Sequence, residues 1–172
     1  MGKYSYSPND PWEWNRMSHM DVGSVVKLTD TFFTKEIDHI FEPNATRLAY
    51  NLSNAILQQN YGLNTNLVNI AKDRTTKAIV AWSWCERGKY MHFSNNECAV
   101  AEFSHVDMTL PLRQRMTLVA QTIEQWIYWA EIQKIPVLIS TSIREDQSGF
   151  MRLHEQFGFV TRGSFAYRKI DV

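Results

Sequence analysis

Cysteine is scarce: Cys85 and Cys98 are the only two in 172 residues. They form no metal-ligand spacing and no disulfide framework, and are expected to be buried thiols in a reducing compartment. No metal site is expected. Net charge is also missing, since 18 Lys and Arg balance 18 Asp and Glu. Neutrality argues against a general binder of nucleic-acid phosphate, which needs a basic surface. The set Arg113, Arg115, Arg144, Arg152, Arg162 and Arg168 leaves only local basic patches. No apolar run approaches the ~18 residues of a membrane span. The N-terminus has no apolar signal core, and Tyr6 stands where a myristoylation signal needs Ser or Thr. The expectation is a soluble, cytoplasmic protein. No internal repeat or low-complexity segment is visible.

Aromatic residues are plentiful, with 6 Trp, 7 Tyr and 9 Phe, and the length suits one domain with a real core. Residues 1–23 are polar and aromatic, with Pro8, Pro11, Trp12 and Trp14. They read as an N-terminal arm, packed over the domain by its tryptophans or contacting another chain or a second copy. The domain proper is expected over 24–172. Val25 to Leu28 reads as a first strand. Asp30 or Thr31 then caps a helix over Phe32 to Phe41, and a second helix runs from Asn44 to Gln59 with Leu48, Leu52 and Ile56 on one face. Tyr61-Gly62 stops it. Leu67 to Ala71 and Ala78 to Trp84 read as a hairpin about a polar turn, with a further turn at Glu86-Arg87-Gly88-Lys89. A strand follows to Met108, and Pro111 must end it.

Leu118, Thr122, Trp126 and Trp129 recur at helical spacing, so a helix is expected from about Met116 to Lys134, closed by Ile135-Pro136. Val137 to Ile143 is a β-branched run and reads as a strand. A short helix ends in Phe157-Gly158-Phe159, and a last strand is expected over Phe165 to Ile170. A strand, a helix of about five turns and a strand make a crossover unit with a parallel pair. The fold class is α/β (α+β), a mixed, mostly antiparallel sheet flanked by helices in the order β-α-α-β-β-β-α-β-α-β.

From Ala99 to Arg168 the succession of strand, Arg-rich loop, helix, strand, short helix and strand resembles the C-terminal half of the GNAT superfamily of N-acetyltransferases. The nearest motif is Met151-Arg152-Leu153-His154-Glu155-Gln156-Phe157-Gly158-Phe159-Val160, similar to the family's helix after its fifth strand. The resemblance implies that the fourth and fifth strands splay apart and that acetyl-CoA wedges between them. It also implies an acetyl-CoA-dependent N-acyltransferase acting on an amine, on a small molecule or on a protein. The alternative is a catalytically inactive GNAT-like domain used as a binding or assembly module, of a kind also found in bacteriophages.

Acetyl transfer needs N–H groups to hold the pyrophosphate, a donor for the tetrahedral oxyanion, and a base for the ammonium. The resemblance places the phosphate cradle at the start of the long helix, where N–H groups and the dipole favour anions. The residues are Met108, Thr109, Leu110, Arg113, Gln114, Arg115, Met116, Thr117 and Leu118. The family's two small positions fall on Met116 and Leu118, whose side chains are expected to obstruct the pyrophosphate. Its tyrosine, which protonates the leaving thiolate, aligns with His154, a residue able to donate near neutral pH. Its asparagine falls near Gln147. Base candidates are Glu102, His105 and Asp107. Strict alternation puts His105 and Asp107 on one face and Glu102 on the other, with Asp107 and His105 the better pair. Trp82 and Trp84 share a strand face and would wall an acceptor pocket, or belong to the core.

Overall fold

The computed structural model describes residues 6–36, 41–62, 64–142 and 148–162, with 166 and 168. Among the described residues five strands lie side by side in the order of the chain: β1 (Trp12–Arg16), β2 (Asn66–Asp73), β3 (Ile79–Tyr90), β4 (Glu97–Val106) and β5 (Val137–Ser140). The first four are antiparallel neighbours, and β5 joins β4 in parallel. Helices α1 (Val22–Glu36) and α2 (Ala45–Tyr61) come before β2, α3 (Leu112–Ile132) crosses from β4 to β5, and α4 (Ser148–Gln156) follows β5. This is the expected mixed, mostly antiparallel sheet. The last expected strand, Phe165 to Ile170, falls mostly outside the described residues.

The first strand is not where the sequence suggested. Val25 to Leu28 lie inside α1, and the strand is Trp12–Arg16, within the stretch read as an arm. Val22, Val25 and Thr29 are buried at helical spacing, with Val26, Phe32 and Phe33 beside them, so an apolar helical stripe outweighs the local β preference of two valines. The start signal is Ser18, not Asp30 or Thr31. The Ser18 amide and hydroxyl both donate to Asp21 Oδ2, at 2.9 and 2.7 Å, in a capping box that opens a 3-10 turn leading into α1. Asn44 caps α2 by accepting from the Arg47 amide at 2.8 Å, and Gly62 ends it where a Cβ would meet the Gln58 carbonyl oxygen at 2.7 Å. The Asp73 turn is as read, its Oδ1 accepting from the Thr75 and Thr76 amides. The second expected turn, Glu86 to Lys89, is instead part of β3, where a register shift accommodates Gly88 at φ +81°.

Each face of the sheet has its own core. Under α1 and α2 lie Met17, Val25, Leu52, Ile56, Ile70 and Trp82. Under α3 and α4 lie Cys85, Ala99, Ala101, Ile123, Trp126 and Leu153, continued toward β1 by Trp12, Ala81, Val106 and Leu118. Both cysteines are buried and free, as expected. Among the described residues no helix is long and apolar enough to cross a membrane.

Candidate active site

The site is set by where β4 and β5 part. Their parallel pairing runs from Cys98 opposite Val137 to Ala101 opposite Ser140 and stops, while β4 continues to Val106. No described strand pairs with β4 there on its β5 side. The parting coincides with a bulge: Trp84 faces Phe103 and Cys85 faces Ala101, so Glu102 is an extra residue on β4.

The bulge changes which side chains share a face. Ala99 and Ala101 pack under α3, so Val100 between them points the other way. Beyond the bulge, Phe103 stacks on Trp82 at 4.7 Å and His105 stacks on Phe32 at 5.9 Å, both on the α1–α2 side. Ala101 and Phe103, two residues apart, thus lie on opposite faces of the sheet. The expectation that set Glu102 opposite His105 assumed unbroken alternation, and the strand gains a residue at Glu102.

The three base candidates then differ sharply. His105 is 1% exposed and stacks on Phe32. Asp107 Oδ1 accepts from the Thr109 amide and hydroxyl, at 2.8 and 2.7 Å, and so shapes the loop that leads to α3. Glu102 is exposed. Its carboxyl is raised above the ordinary glutamate range by desolvation and by the Glu86 carboxylate, against the pull of Lys89. Lys89 is itself held by Glu86 at 2.9 Å.

Pro111 is the residue before α3, and no side chain caps that helix. Arg113 is exposed and Gln114 half-buried. Arg115 donates one N–H to the Met108 sulfur at 3.6 Å, and its Nε is buried without a partner among the described residues. Thr117 Oγ1 is turned back on the Arg113 carbonyl at 3.0 Å. Leu118 is fully buried beneath the helix, so it does not stand over the first turn as expected. Met116 is on the surface, 40% exposed. Gln147 lies outside the described residues.

His154 is completely buried. Its Nδ1 lies 2.9 Å from the Phe150 carbonyl oxygen and its Nε2 2.9 Å from Ser140 Oγ. Phe150, Phe159 and Trp126 surround the ring, at 4.3, 5.0 and 6.5 Å between centroids. Desolvation pushes its pKa down, more than the bond to Phe150 raises it. The Phe157-Gly158-Phe159 signature has a clear task here. Gly158 takes φ +83°, and the Phe159 amide turns back to donate to the His154 carbonyl at 3.2 Å, which brings the Phe159 ring edge-on to the imidazole.

Trp82 is fully buried and donates to Thr29 Oγ1 at 2.9 Å, and Trp84 donates to Asn66 Oδ1 at 2.6 Å. Trp82 thus belongs to the core and Trp84 packs against it. Ser140, which sequence reasoning missed, has no motif of its own; only its place at the end of a predicted strand could have singled it out. An open groove of about 710 Å³, between residues 6–16 and α3, contains none of the expected site residues.

No family model matches the sequence, and no curated protein matches it. Solved structures do match it over nearly the whole chain. An aminoglycoside antibiotic 6'-N-acetyltransferase from Acinetobacter baumannii is similar at TM-score 0.64 and 16% identity, over 94% of this chain and 99% of that one. A predicted acetyltransferase with acetyl-CoA from Clostridium acetobutylicum gives 0.68 and 12%, over 92% and 96%. AAC(6')-Iy in complex with the bisubstrate analogue CoA-S-monomethyl-acetylneamine gives 0.65 and 14%, over 93% and 99%. With strands β1 to β4 antiparallel, β5 parallel and parting from β4 at a bulge, the chain has the fold of the GNAT-type N-acetyltransferases.

Proposed function

We propose that this protein is an acetyl-CoA-dependent N-acyltransferase acting on an amine acceptor. The observation that carries the reading is the gap between β4 and β5, opened at Ala101 and Ser140 beside a bulge that presents Glu102. The uncapped start of α3 supplies N–H groups for the pyrophosphate, with Arg113 and Arg115 adding charge. Leu118, buried in the core, leaves that turn open. Glu102 takes the proton from the acceptor's ammonium, because only the free amine attacks the thioester carbonyl. The similarity to a complex with a CoA-aminoglycoside analogue supports a small-molecule amine as the acceptor.

Isothermal titration with acetyl-CoA and with CoA tests this directly. Micromolar binding is expected, and no binding at millimolar ligand would overturn it. Replacing Arg113 and Arg115 together by Ala should weaken binding at least tenfold, about 1.4 kcal/mol. Unchanged affinity would remove both arginines from the cradle. A second reading, a non-catalytic GNAT-like binding module, draws on Met116 at the family's first small position, exposed on the helix surface. Absence of CoA binding would favour it.

A further inference from the structure

On the far flank of the sheet, three strands from β4, the groove of about 710 Å³ runs between residues 6–16 and α3. Hydrogen bonds fix its walls. Trp12 and Trp14 both donate to Gln121 Oε1, at 2.8 and 2.9 Å, and Asn69 Nδ2 donates to Gln125 Oε1. Gln121 Nε2 donates in turn to Asp10 Oδ2 at 2.8 Å. These bonds tie β1 and the segment before it to the middle of α3. Three aromatic side chains line the opening: Tyr6, Trp14 and Tyr128. Tyr6 and Tyr128 leave 50% and 66% of their surface to solvent, so their rings are available to a ligand.

The charged groups on the lining are not equivalent. Glu13 is paired with Arg74 and Lys77, at 3.5 and 3.7 Å. Asp10 Oδ2 accepts from the Gln121 side chain and from the Ser7 amide, at 2.8 and 3.1 Å. Arg74 Nε donates to the Asp10 carbonyl at 2.9 Å. Arg16 is exposed, so water meets its charge. Glu124 is half-buried and takes part in none of the ion pairs among the described residues. Desolvation raises its carboxyl above the ordinary glutamate range, against the weaker pull of the chain's N-terminal ammonium. A carboxylate that has lost water without gaining a close partner is costly, and a cation brought against it recovers that cost. The rings beside it select the same sign of charge, because the face of an aromatic ring attracts a cation within about 6 Å of its centroid.

We propose that this groove is a binding site for a small organic cation, with Glu124 as its counter-ion and Tyr6, Trp14 and Tyr128 against its apolar body. Its volume is that of a site for a drug-sized ligand. A quaternary ammonium suits the site as well as a primary amine, because rings and a carboxylate require charge and not an N–H donor. The proposal does not rest on the acyltransferase reading, since the groove contains none of the residues of the gap.

Benzyltrimethylammonium is the probe, because it has no N–H to acetylate and so cannot be an acceptor in the gap. Phenylacetate, an anion of similar size, is the control. Titration into the isotope-labelled full chain, followed by the amide and indole N–H resonances, should give saturable shifts at residues 6–16 and 124–128, the Trp14 indole among them. Phenylacetate should give none. Glu124→Gln keeps the shape and removes the charge, and should weaken binding about tenfold. Tyr128→Leu, at an exposed position, should weaken it about threefold and decides the matter if Glu124→Gln fails to fold. No saturable shift at tens of millimolar probe overturns the proposal. So does equal binding of phenylacetate, or unchanged affinity in the folded variants. Shifts confined to Glu102, β5 and the first turn of α3 would place the cation in the gap, which supports the amine-acceptor reading and defeats this one.

Discussion

Glu102 and Asp107 show how two carboxylates on one strand come to differ. Asp107 Oδ1 takes two bonds from Thr109, which ties that oxygen to the loop before α3. Glu102 stands on the bulge with its pKa raised by desolvation and by Glu86. A raised carboxyl keeps its proton to higher pH, so as a base it becomes competent only above the ordinary ~4.3. Turnover should therefore rise with pH along a limb displaced upward from that value. In Glu102→Gln the limb should vanish and turnover fall by about 10²–10⁴, with affinity for CoA unchanged. A variant with the wild-type profile would exclude Glu102 as the base. The sequence showed Glu102, His105 and Asp107 as candidates but ranked them by strict alternation. The ranking depends on a count across two strands, because the bulge exists only where β4 gains a residue relative to β3. His154 was visible from its motif. Its partner was not, since Ser140 lies fourteen residues away on another element and no spacing rule connects them.

At the scale of elements, legibility followed locality. Helix α3 and the end of α4 announce themselves through helical spacing, a proline on either side and a glycine that takes a left-handed turn. Strand β1 does not, because its partners are remote. Trp12 and Trp14 both donate to Gln121 Oε1 on α3, at 2.8 and 2.9 Å, and Gln121 Nε2 donates to Asp10 at 2.8 Å. One buried amide thus pins the edge strand across more than a hundred residues of chain. Gln121→Leu should cost about 1–3 kcal/mol through the orphaned Trp12 N–H, read as a lower urea midpoint at constant m. A midpoint equal to wild type would mean that β1 is held by its ladder to β2 alone. At the start of α1, Asp21 meets Lys72 of β2 at 2.6 Å as well as Ser18. Desolvation pulls the Asp21 carboxyl up, but the bonds from Lys72 and Ser18 outweigh it and hold it below the usual range. A depressed carboxyl stabilises the fold above its unfolded value of ~3.9, and that contribution is lost as pH falls through the folded value. Asp21→Asn should therefore cost about 1–2 kcal/mol near neutral pH, a figure reduced because Lys72 is partly exposed. The gap from wild type should close in acid. A gap that persists below both pKa values would assign the loss to the cap geometry instead of the charge.

Across the whole molecule, the sheet is two unequal parts. β1 to β4 form a continuous antiparallel unit with helices on both faces, whereas β5 hangs on β4 by the four pairs from Cys98–Val137 to Ala101–Ser140. A short parallel ladder at the end of the sheet among the described residues, with half-buried residues throughout, should open more readily than the strands inside. Amides of β5 and α4 are thus expected to exchange with deuterium sooner than those of β2 and β3. A ligand that lies in the gap and touches the first turn of α3 would bridge the two parts and raise the cost of opening. At a hundredfold excess over Kd, acetyl-CoA should stabilise the fold by about 2.7 kcal/mol, a rise in Tm of about 5–10 °C. The place of the added protection is the sharper readout. It should fall on residues 102–106, on β5 and on the start of α3. Protection confined to residues 6–16 and the middle of α3 would put the ligand in the groove on the other flank and refute the gap as the binding site.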